Sequence, residues 1–400
     1  MAVKEDNPYF LKEEQLEIIE LVRDIAENEV KPIRAELDEK NEFPTEIMKK
    51  LAKADLTGLY IDQAYGGFND PEDPQGVMNL CLATEELSKV CGGVAVSFAA
   101  NALGAFPIIL SGSEEQKKEY LPRIASGTIA AFGLTEPEAG SDASAVKTTA
   151  VKDGDHYILN GTKQWITNGG EADIYTIFCN TDKTKGARGM SCIIVEKGTP
   201  GFEFGKKEDK LGIRSSATRE LIFTDCKVPA KNILRGEGYG FLIGMQTFAN
   251  SRPGIAAQAV GIATGALDEA IDYAHTREQF GQKIGSFQGI QFMLADMAIQ
   301  IEASRALTYS AARMVDAGFK MQKVEKYAAM AKTMASDTAM KVTVDALQIL
   351  GGYGYMKEYP AEKYMRDAKI TQIYEGTNQI QRLIINNILV RELAAKKRKK

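Results

Sequence analysis

Apolar residues recur at helical spacing from Glu13 onward: Leu16, Ile19, Val22 and Ile25 share one face, with charged residues between them. The same period runs through Met48 to Leu56 and Val77 to Leu87, so the first third of the chain is predicted to be helical. Near Ala130 the pattern changes. "TTAVKDGDHYILNGTKQWIT" (148–167) holds short strand-like stretches separated by Asp153-Gly154 and Asn160-Gly161, dipeptides that supply the left-handed backbone of hairpin turns. "DIYTIFCNT", "MSCIIVEKGTPGFEF" and "RELIFTDCKV" continue the series to Val228, which predicts an antiparallel sheet. After Pro229 the helical period returns. Ile255, Val260, Ala263, Leu267, Ala270 and Ala274 form one stripe, Ile290, Met293, Leu294, Met297 and Ile301 a second, and a third segment runs from Met321 to Leu350. The expected architecture is α+β and mostly α: a helical domain over 1–129, an antiparallel β domain over 130–235, and a helical bundle over 236–400 with a basic tail. The stripes of the bundle pack on one another, and surplus apolar faces are expected to meet another subunit.

Composition narrows the function without fixing it. With 44% hydrophobic and 26% charged residues the chain is ordinary for a globular protein, and its net charge of -5 gives no reason to expect nucleic acid as the main ligand. The run KKRKK at 396–400 is either a solvated tail or a contact for a membrane surface or nucleic acid. Five scattered cysteines form no CxxC pair, so neither a disulfide framework nor a zinc site is indicated, and a reducing cytoplasm is the expected location. The first residues lack the apolar stretch of a secretory signal, and no apolar run is expected to reach membrane-spanning length. His156 and His275 are the only histidines; no metal site is expected, and each is read as a core or surface residue.

Several catalytic patterns are missing. There is no GxxxxGK[ST] loop and no GxSxG elbow, and "GEGYGF" (236–241) has neither the spacing nor the strand-turn-helix setting of a dinucleotide fingerprint. What remains is the lone acid in "KITQIYEGTNQIQRLI" (369–384). Thr377 or Asn378 is a good N-cap and Ile380, Leu383, Ile384 and Ile385 follow, so Glu375 stands just before a helix. Ile373 and Tyr374 would desolvate it, which strengthens a base, and the unobstructed N-H of Gly376 could bind a polarised oxygen. The pair suits removal of a proton α to a carbonyl; the bland alternative is an acid that merely complements the helix dipole. "GLTEPEAGSDASA" (133–145) is either a turn-rich loop or a cradle in which N-H groups and Ser141 hold a phosphate or ring edge. In "QWITNGG", Trp165 and Thr167 share a strand face, and the tryptophan is either core or a platform for a flat ligand.

Together these stretches resemble the acyl-CoA dehydrogenase family over essentially the whole chain. "GLTEPEAGSDASA" matches the family's first motif and "QILGGYGYMKEYPAEKYMRD" (348–367) its second. The resemblance implies a helical domain, a β domain and a four-helix C-terminal bundle, with FAD bound among them in a homotetramer. It also implies α,β-dehydrogenation of an acyl-CoA thioester to the trans-2-enoyl-CoA, with electrons passed to an electron-transfer flavoprotein in fatty acid β-oxidation.

By the same resemblance Glu375 is the base that takes the α-proton while the β-hydride goes to flavin N5. Implied flavin contacts are Phe132, Leu134, Thr135 and Ser141, then Trp165, Ile166 and Thr167, then Thr377 and Gln379. Arg277, Gln279, Phe280 and Gln288, with Gln348, Ile349, Leu350, Gly351 and Gly352, resemble the part that reaches a neighbouring subunit's FAD. Ser141 and Arg252 match positions touching CoA, Gly376 lies at the thioester oxygen, and Phe98, Ala99 and Tyr374 are implied to line the acyl pocket. The chain departs from many members at Ala249, where an aspartate is usual, with Asn250 beside it as a replacement. Near Ser251, where some members carry the base, there is no acid, and the uncharged run Val94 to Gly104 argues for an uncharged acyl tail. Acyl length and shape stay open, as do two alternatives: an enoyl-CoA reductase running the reverse reaction, and a non-catalytic flavoprotein scaffold.

Overall fold

The structure, a computed structural model, describes residues 7–398; Lys399 and Lys400 of the basic run lie outside them. The amphipathic pattern of the first third becomes six helices: α1 (Glu13–Ile25), α2 (Arg34–Lys40), α3 (Thr45–Lys53), α4 (Gly76–Val90), α5 (Gly92–Ser111) and α6 (Glu114–Ala125). Local signals start α6, where the Ser113 hydroxyl accepts from Gln116 N-H at 3.3 Å and Gln116 accepts from Ser113 N-H at 2.8 Å. Helix α4 has no cap of its own. Asp316, far along the chain, accepts from the N-H groups of Val77 and Met78 at 2.9 Å each, so the first and last thirds are tied at a helix end. Burial pushes the Asp316 carboxyl up to about 6 against the pull of those donors.

Helix α5 corrects one expectation. Its twenty residues are apolar enough, and long enough, to cross a membrane, contrary to the sequence forecast that no run approaches that length. The helix is nevertheless mostly buried, wedged against α4, α7 and the sheet, as a core helix is. Its charge-free composition follows from contact on nearly all sides.

The sheet contains β1 (Ala130–Gly133), β2 (Thr149–Asp153), β3 (His156–Thr167), β4 (Ile174–Asn180), β5 (Met190–Glu196), β6 (Phe202–Lys207) and β7 (Thr218–Pro229). It is mixed, not purely antiparallel as the hairpin signals predicted: β1 pairs with β4 in parallel, because the long excursion 134–148 removes any hairpin constraint on β1. Asp153-Gly154 does make the β2–β3 hairpin, with Asp153 opposite His156. Asn160-Gly161 does not turn the chain. It forms a bulge within β3, where Gly161 passes so near Thr148 that a Cβ would meet its Oγ1 at 2.5 Å.

The last third holds α7 (Gly240–Thr276), a small ribbon of β8 (Glu278–Gln279) and β9 (Gln282–Lys283), then α8 (Gln288–Asp316), α9 (Met321–Leu350), α10 (Ala361–Thr371) and α11 (Asn378–Arg398). Helix α7 is the axis of the molecule, touching α4, α5, α8, α9 and α10. Alanines 256, 259, 263, 266 and 270 of α7 and 331, 335, 339 and 346 of α9 fill the seam between them, and side chains this small let the two backbones approach closely. The helix continues through Pro253, which removes one backbone donor immediately after Ser251 and Arg252.

Candidate active site

The segment between α10 and α11 is short and tightly held. Glu375 (φ 51°) and Gly376 (φ 92°) are both left-handed. Glycine adopts that conformation freely, whereas for glutamate it costs about 1–3 kcal/mol and persists only where surroundings enforce it. Those surroundings are three buried side chains. Gln381 Nε2 donates to the carbonyls of Glu375 (3.0 Å) and Gly376 (2.9 Å), Arg252 Nε donates to that of Glu375 (3.2 Å), and Lys332 Nζ donates to that of Gly376 (2.8 Å). A Cβ on Gly376 would sit 2.6 Å from Gln381 Nε2, so the clamp also requires glycine. Thr377 then caps α11, its hydroxyl accepting from Ile380 N-H at 3.3 Å.

Because C=O and N-H point in opposite directions across a trans peptide, turning the Glu375 carbonyl inward turns the Gly376 N-H outward. Among the described residues neither the Glu375 nor the Gly376 N-H has an acceptor. Two free donors beside a carboxylate form a place for an oxygen that gains negative charge.

Ser251 Oγ, on α7, donates to Glu375 Oε2 at 2.5 Å. Burial raises the Glu375 carboxyl to about 7, opposed by the Ser251 hydroxyl and by the charges of Arg252 and Lys332. Ile373 does not help to desolvate it, since that side chain is 47% exposed and turned away. Tyr374 is fixed on the other side: its hydroxyl bonds Gln258 of α7, whose amide donates to Gly92 O at 3.0 Å and so reaches the start of α5. Ser251→Ala removes the only side-chain donor to the carboxylate among the described residues. The acid limb of kcat/KM is expected to move up by about one pH unit, and a pH profile of initial rates checks this.

The two motif stretches in the sheet also come together. Gln164 N-H of β3 donates to Thr135 O at 2.9 Å, which sets the end of β1 beside Trp165. Below them Lys163 (0% exposed) donates to Glu136 Oε1 at 2.6 Å and to Leu134 O at 3.1 Å. Glu136 also accepts from the N-H groups of Lys147 (2.5 Å) and Thr148 (3.0 Å). Burial alone would raise the Glu136 carboxyl; Lys163 and these donors outweigh it and leave it below its ordinary value. Trp165 is not core. It is 57% exposed with φ 57°, and the register slip between Lys163 and Ile166 breaks the alternation that would have put it on one face with Thr167. Leu134 and Ile166 are buried, while Thr135, Ser141 and Thr167 are at least partly exposed and their hydroxyls engage no protein group among the described residues.

An aromatic path joins this sheet edge to the acid. Phe132 packs on Phe248 at 5.4 Å between ring centroids, Arg252 lies over Phe248 at 5.4 Å, and Arg252 holds Glu375. Arg252, which the resemblance implies touches CoA, is only 3% exposed on α7 and holds the loop through the Glu375 carbonyl. Asn250 donates back to Gln246 O at 2.8 Å, and Gln379 is exposed on the first turn of α11. A separate cleft gathers Arg277, Gln279, Ile349, Leu350, Gly351 and Gly352, with the Arg277 guanidinium over the Tyr353 ring. Phe280, Gln288 and Gln348 are exposed near it without lining it. None of the residues clamping Glu375 borders this cleft.

A strained acid with two N-H donors that have no acceptor among the described residues is thus linked, through Arg252, Phe248 and Phe132, to a sheet edge that carries an exposed indole and open hydroxyls. Family models for the acyl-CoA dehydrogenase N-terminal, middle and C-terminal domains match residues 12–128, 131–226 and 238–390. The chain belongs to the acyl-CoA dehydrogenase family, a family of flavoprotein oxidoreductases. It is 49% identical to the short-chain-specific acyl-CoA dehydrogenase of Clostridium acetobutylicum over 383 residues, covering 95% of this chain and 99% of that one. The butyryl-CoA dehydrogenase structure from Megasphaera elsdenii is similar at TM-score 0.92 and 48% identity, covering 95% and 99% of the two chains. Equally similar in fold, at TM-score 0.92 and 51% identity, covering 96% and 99%, is a chain from the structure of an electron transferring flavoprotein of Acidaminococcus fermentans, studied for flavin-based electron bifurcation.

Proposed function

We propose that the chain dehydrogenates a short, uncharged acyl-CoA thioester between Cα and Cβ, with Glu375 as the base for the α-proton. The carrying observation is the Glu375–Gly376 turn: a carboxylate near neutral pKa stands beside two N-H groups that have no acceptor among the described residues. The thioester oxygen is placed at those donors, which favour the enolate-like charge that develops as the α-proton leaves. An α-proton is a very weak acid, so lowering its pKa at one end and raising that of Glu375 at the other brings the two toward each other. Bound FAD would supply the acceptor for the β-hydride. The residues present fit its flat ring: Trp165 and the open hydroxyls of Thr135 and Thr167 at the sheet edge, with Phe132 and Ser141 beside them and Thr377 and Gln379 across the site on the loop side. Supporting the short acyl tail is the similarity to dehydrogenases described as short-chain specific and butyryl-CoA dehydrogenase, together with the charge-free α5 that packs next to the Tyr374 anchor.

We also infer a homotetramer in the cytoplasm, with the three divisions at 1–129, 130–235 and 236–400. Exposed apolar residues on the outer bundle, among them Phe292, Ile299, Leu383 and Leu393, supply faces for other subunits, and Arg277 and Gln279 would meet a neighbour's FAD. An electron-transfer flavoprotein is the acceptor suggested by the similarity to the Acidaminococcus chain. The test is anaerobic: purified holoenzyme mixed with butyryl-CoA should lose its yellow absorbance within one turnover and release the enoyl product. A holoenzyme that reacts with no short, branched or cyclic acyl-CoA would reject the dehydrogenase assignment.

A further inference from the structure

Lys332 stands out because holding the Gly376 carbonyl needs only a hydrogen-bond donor, and the donor here is a lysine. It lies on α9 in the alanine-rich seam against α7, is 0% exposed, and carries an ammonium group. Its two contacts are both neutral: Gly376 O at 2.8 Å and Asn378 Oδ1 at 2.9 Å. Among the described residues it forms no ion pair. Asp337, on the same helix, is already taken by Arg382 (2.6 Å), Asn378 Nδ2 (2.7 Å) and Gln372 Nε2 (2.7 Å). A buried cation with no carboxylate in contact is costly, and burial accordingly lowers the Lys332 ammonium toward neutrality.

The charged groups facing it are few. Glu375 attracts it from the α10–α11 loop and Asp337 from α9, while Arg252 of α7 repels it; Glu325 of α9 acts on Arg252 in turn. Asn378 is oriented by Ser336, whose hydroxyl accepts from Asn378 Nδ2 at 2.9 Å, so its Oδ1 is aimed at the ammonium. The acid and the ammonium thus flank Gly376, with the Arg252 guanidinium on the Glu375 carbonyl beside them.

We infer that Lys332 is a positioning residue for the base: it holds the Glu375–Gly376 turn by its carbonyl and supplies the positive charge that favours the carboxylate form of Glu375. This rests on the assignment of Glu375 as the base. Burial is the main influence on each group, lowering the Lys332 ammonium to about 7 and raising Glu375 to about 7, and each group's charge opposes that shift in the other. Removing the ammonium therefore leaves Glu375 harder to ionise.

The experiment is a pH profile of kcat/KM with butyryl-CoA for FAD-loaded Lys332→Met, Lys332→Gln and Lys332→Arg. The acid limb reports ionisation of the base in free enzyme, and both neutral variants should shift it upward by about one pH unit, while Lys332→Arg leaves it in place. Lys332→Gln covers the case in which Lys332→Met does not fold, since its amide can still donate to the Gly376 carbonyl. A merely structural lysine would lower flavin content or the melting temperature without moving the limb. Folded neutral variants whose acid limb coincides with wild type overturn the inference, even with Glu375→Gln inactive. Normal turnover by Glu375→Gln would instead defeat the assignment on which it rests.

Discussion

Glu375→Gln is expected to lower the rate of flavin reduction by about 10⁴-fold, the upper end of what a single positioned base contributes. Glutamine keeps the shape of the side chain, and its amide oxygen can still accept the Ser251 hydroxyl that now meets Oε2 at 2.5 Å. The backbone clamp from Gln381, Arg252 and Lys332 acts on main-chain carbonyls and is untouched by the change. Flavin content and binding of an acyl-CoA should therefore stay near wild type while the α-proton has nowhere to go. Stopped-flow absorbance with a saturating short acyl-CoA separates the two effects. The wild-type rate should rise with pH through about 7, because only the deprotonated form of a group held there can act. In Glu375→Gln that limb should be absent. Reduction at a rate within tenfold of wild type would take the role away from position 375.

Much of this arrangement is legible in the sequence. The helix–sheet–helix order followed from a 3.6-residue period on both sides of a stretch rich in β-branched residues and turn dipeptides, and the lone acid stood out because its neighbours are uncharged. The errors share one cause, which is long-range contact. Asn160-Gly161 carries a hairpin signature but lies inside β3, where proximity to Thr148 selects glycine for space instead of a turn. The antiparallel forecast failed at β1, whose partner β4 is reached only after a long excursion. The expectation that no apolar run reaches membrane-spanning length fails at α5, whose uncharged length is what contact on nearly every side demands.

The same limit hid the supports of the site. Lys332 and Lys163 look in sequence like ordinary surface lysines, yet both are 0% exposed. A signal existed for one of them: Lys332 falls among Ala328, Ala329, Ala331 and Ala335, a stretch in which every alanine is buried, and a charge inside such a stretch asks what it faces. For Gln381 and Ser251 no local pattern distinguishes a clamp from a solvated polar residue. Their roles come from the meeting of α7, α9 and α11 beneath one turn.

Lys163→Met is expected to destabilise the fold by about 3–5 kcal/mol, because it strands Glu136 as a buried charge without its counterion. Glu136 is 4% exposed, and in the variant it would depend on the N-H groups of Lys147 and Thr148 alone. Protonating the carboxyl is the escape. Burial already opposes its charge and, with Lys163 gone, its pKa rises, so the loss should be smaller at pH 5 than at pH 8. The damage should also be local in a telling way. Lys163 ties Leu134 O and Glu136 to β3, and the same loop carries Thr135 and Ser141 at the edge where the flavin is proposed to sit. A lower flavin-to-protein absorbance ratio is therefore expected alongside a lower melting temperature. Adding Glu136→Leu to Lys163→Met removes the stranded charge and should recover part of the melting temperature, while flavin retention stays poor because the loop has lost its side-chain tie to β3 and keeps only the Gln164 N-H bond to Thr135 O. Equal recovery of both would mean that the ion pair serves stability alone, and a Lys163→Met protein that melts and holds flavin like wild type would show that the pair matters to neither.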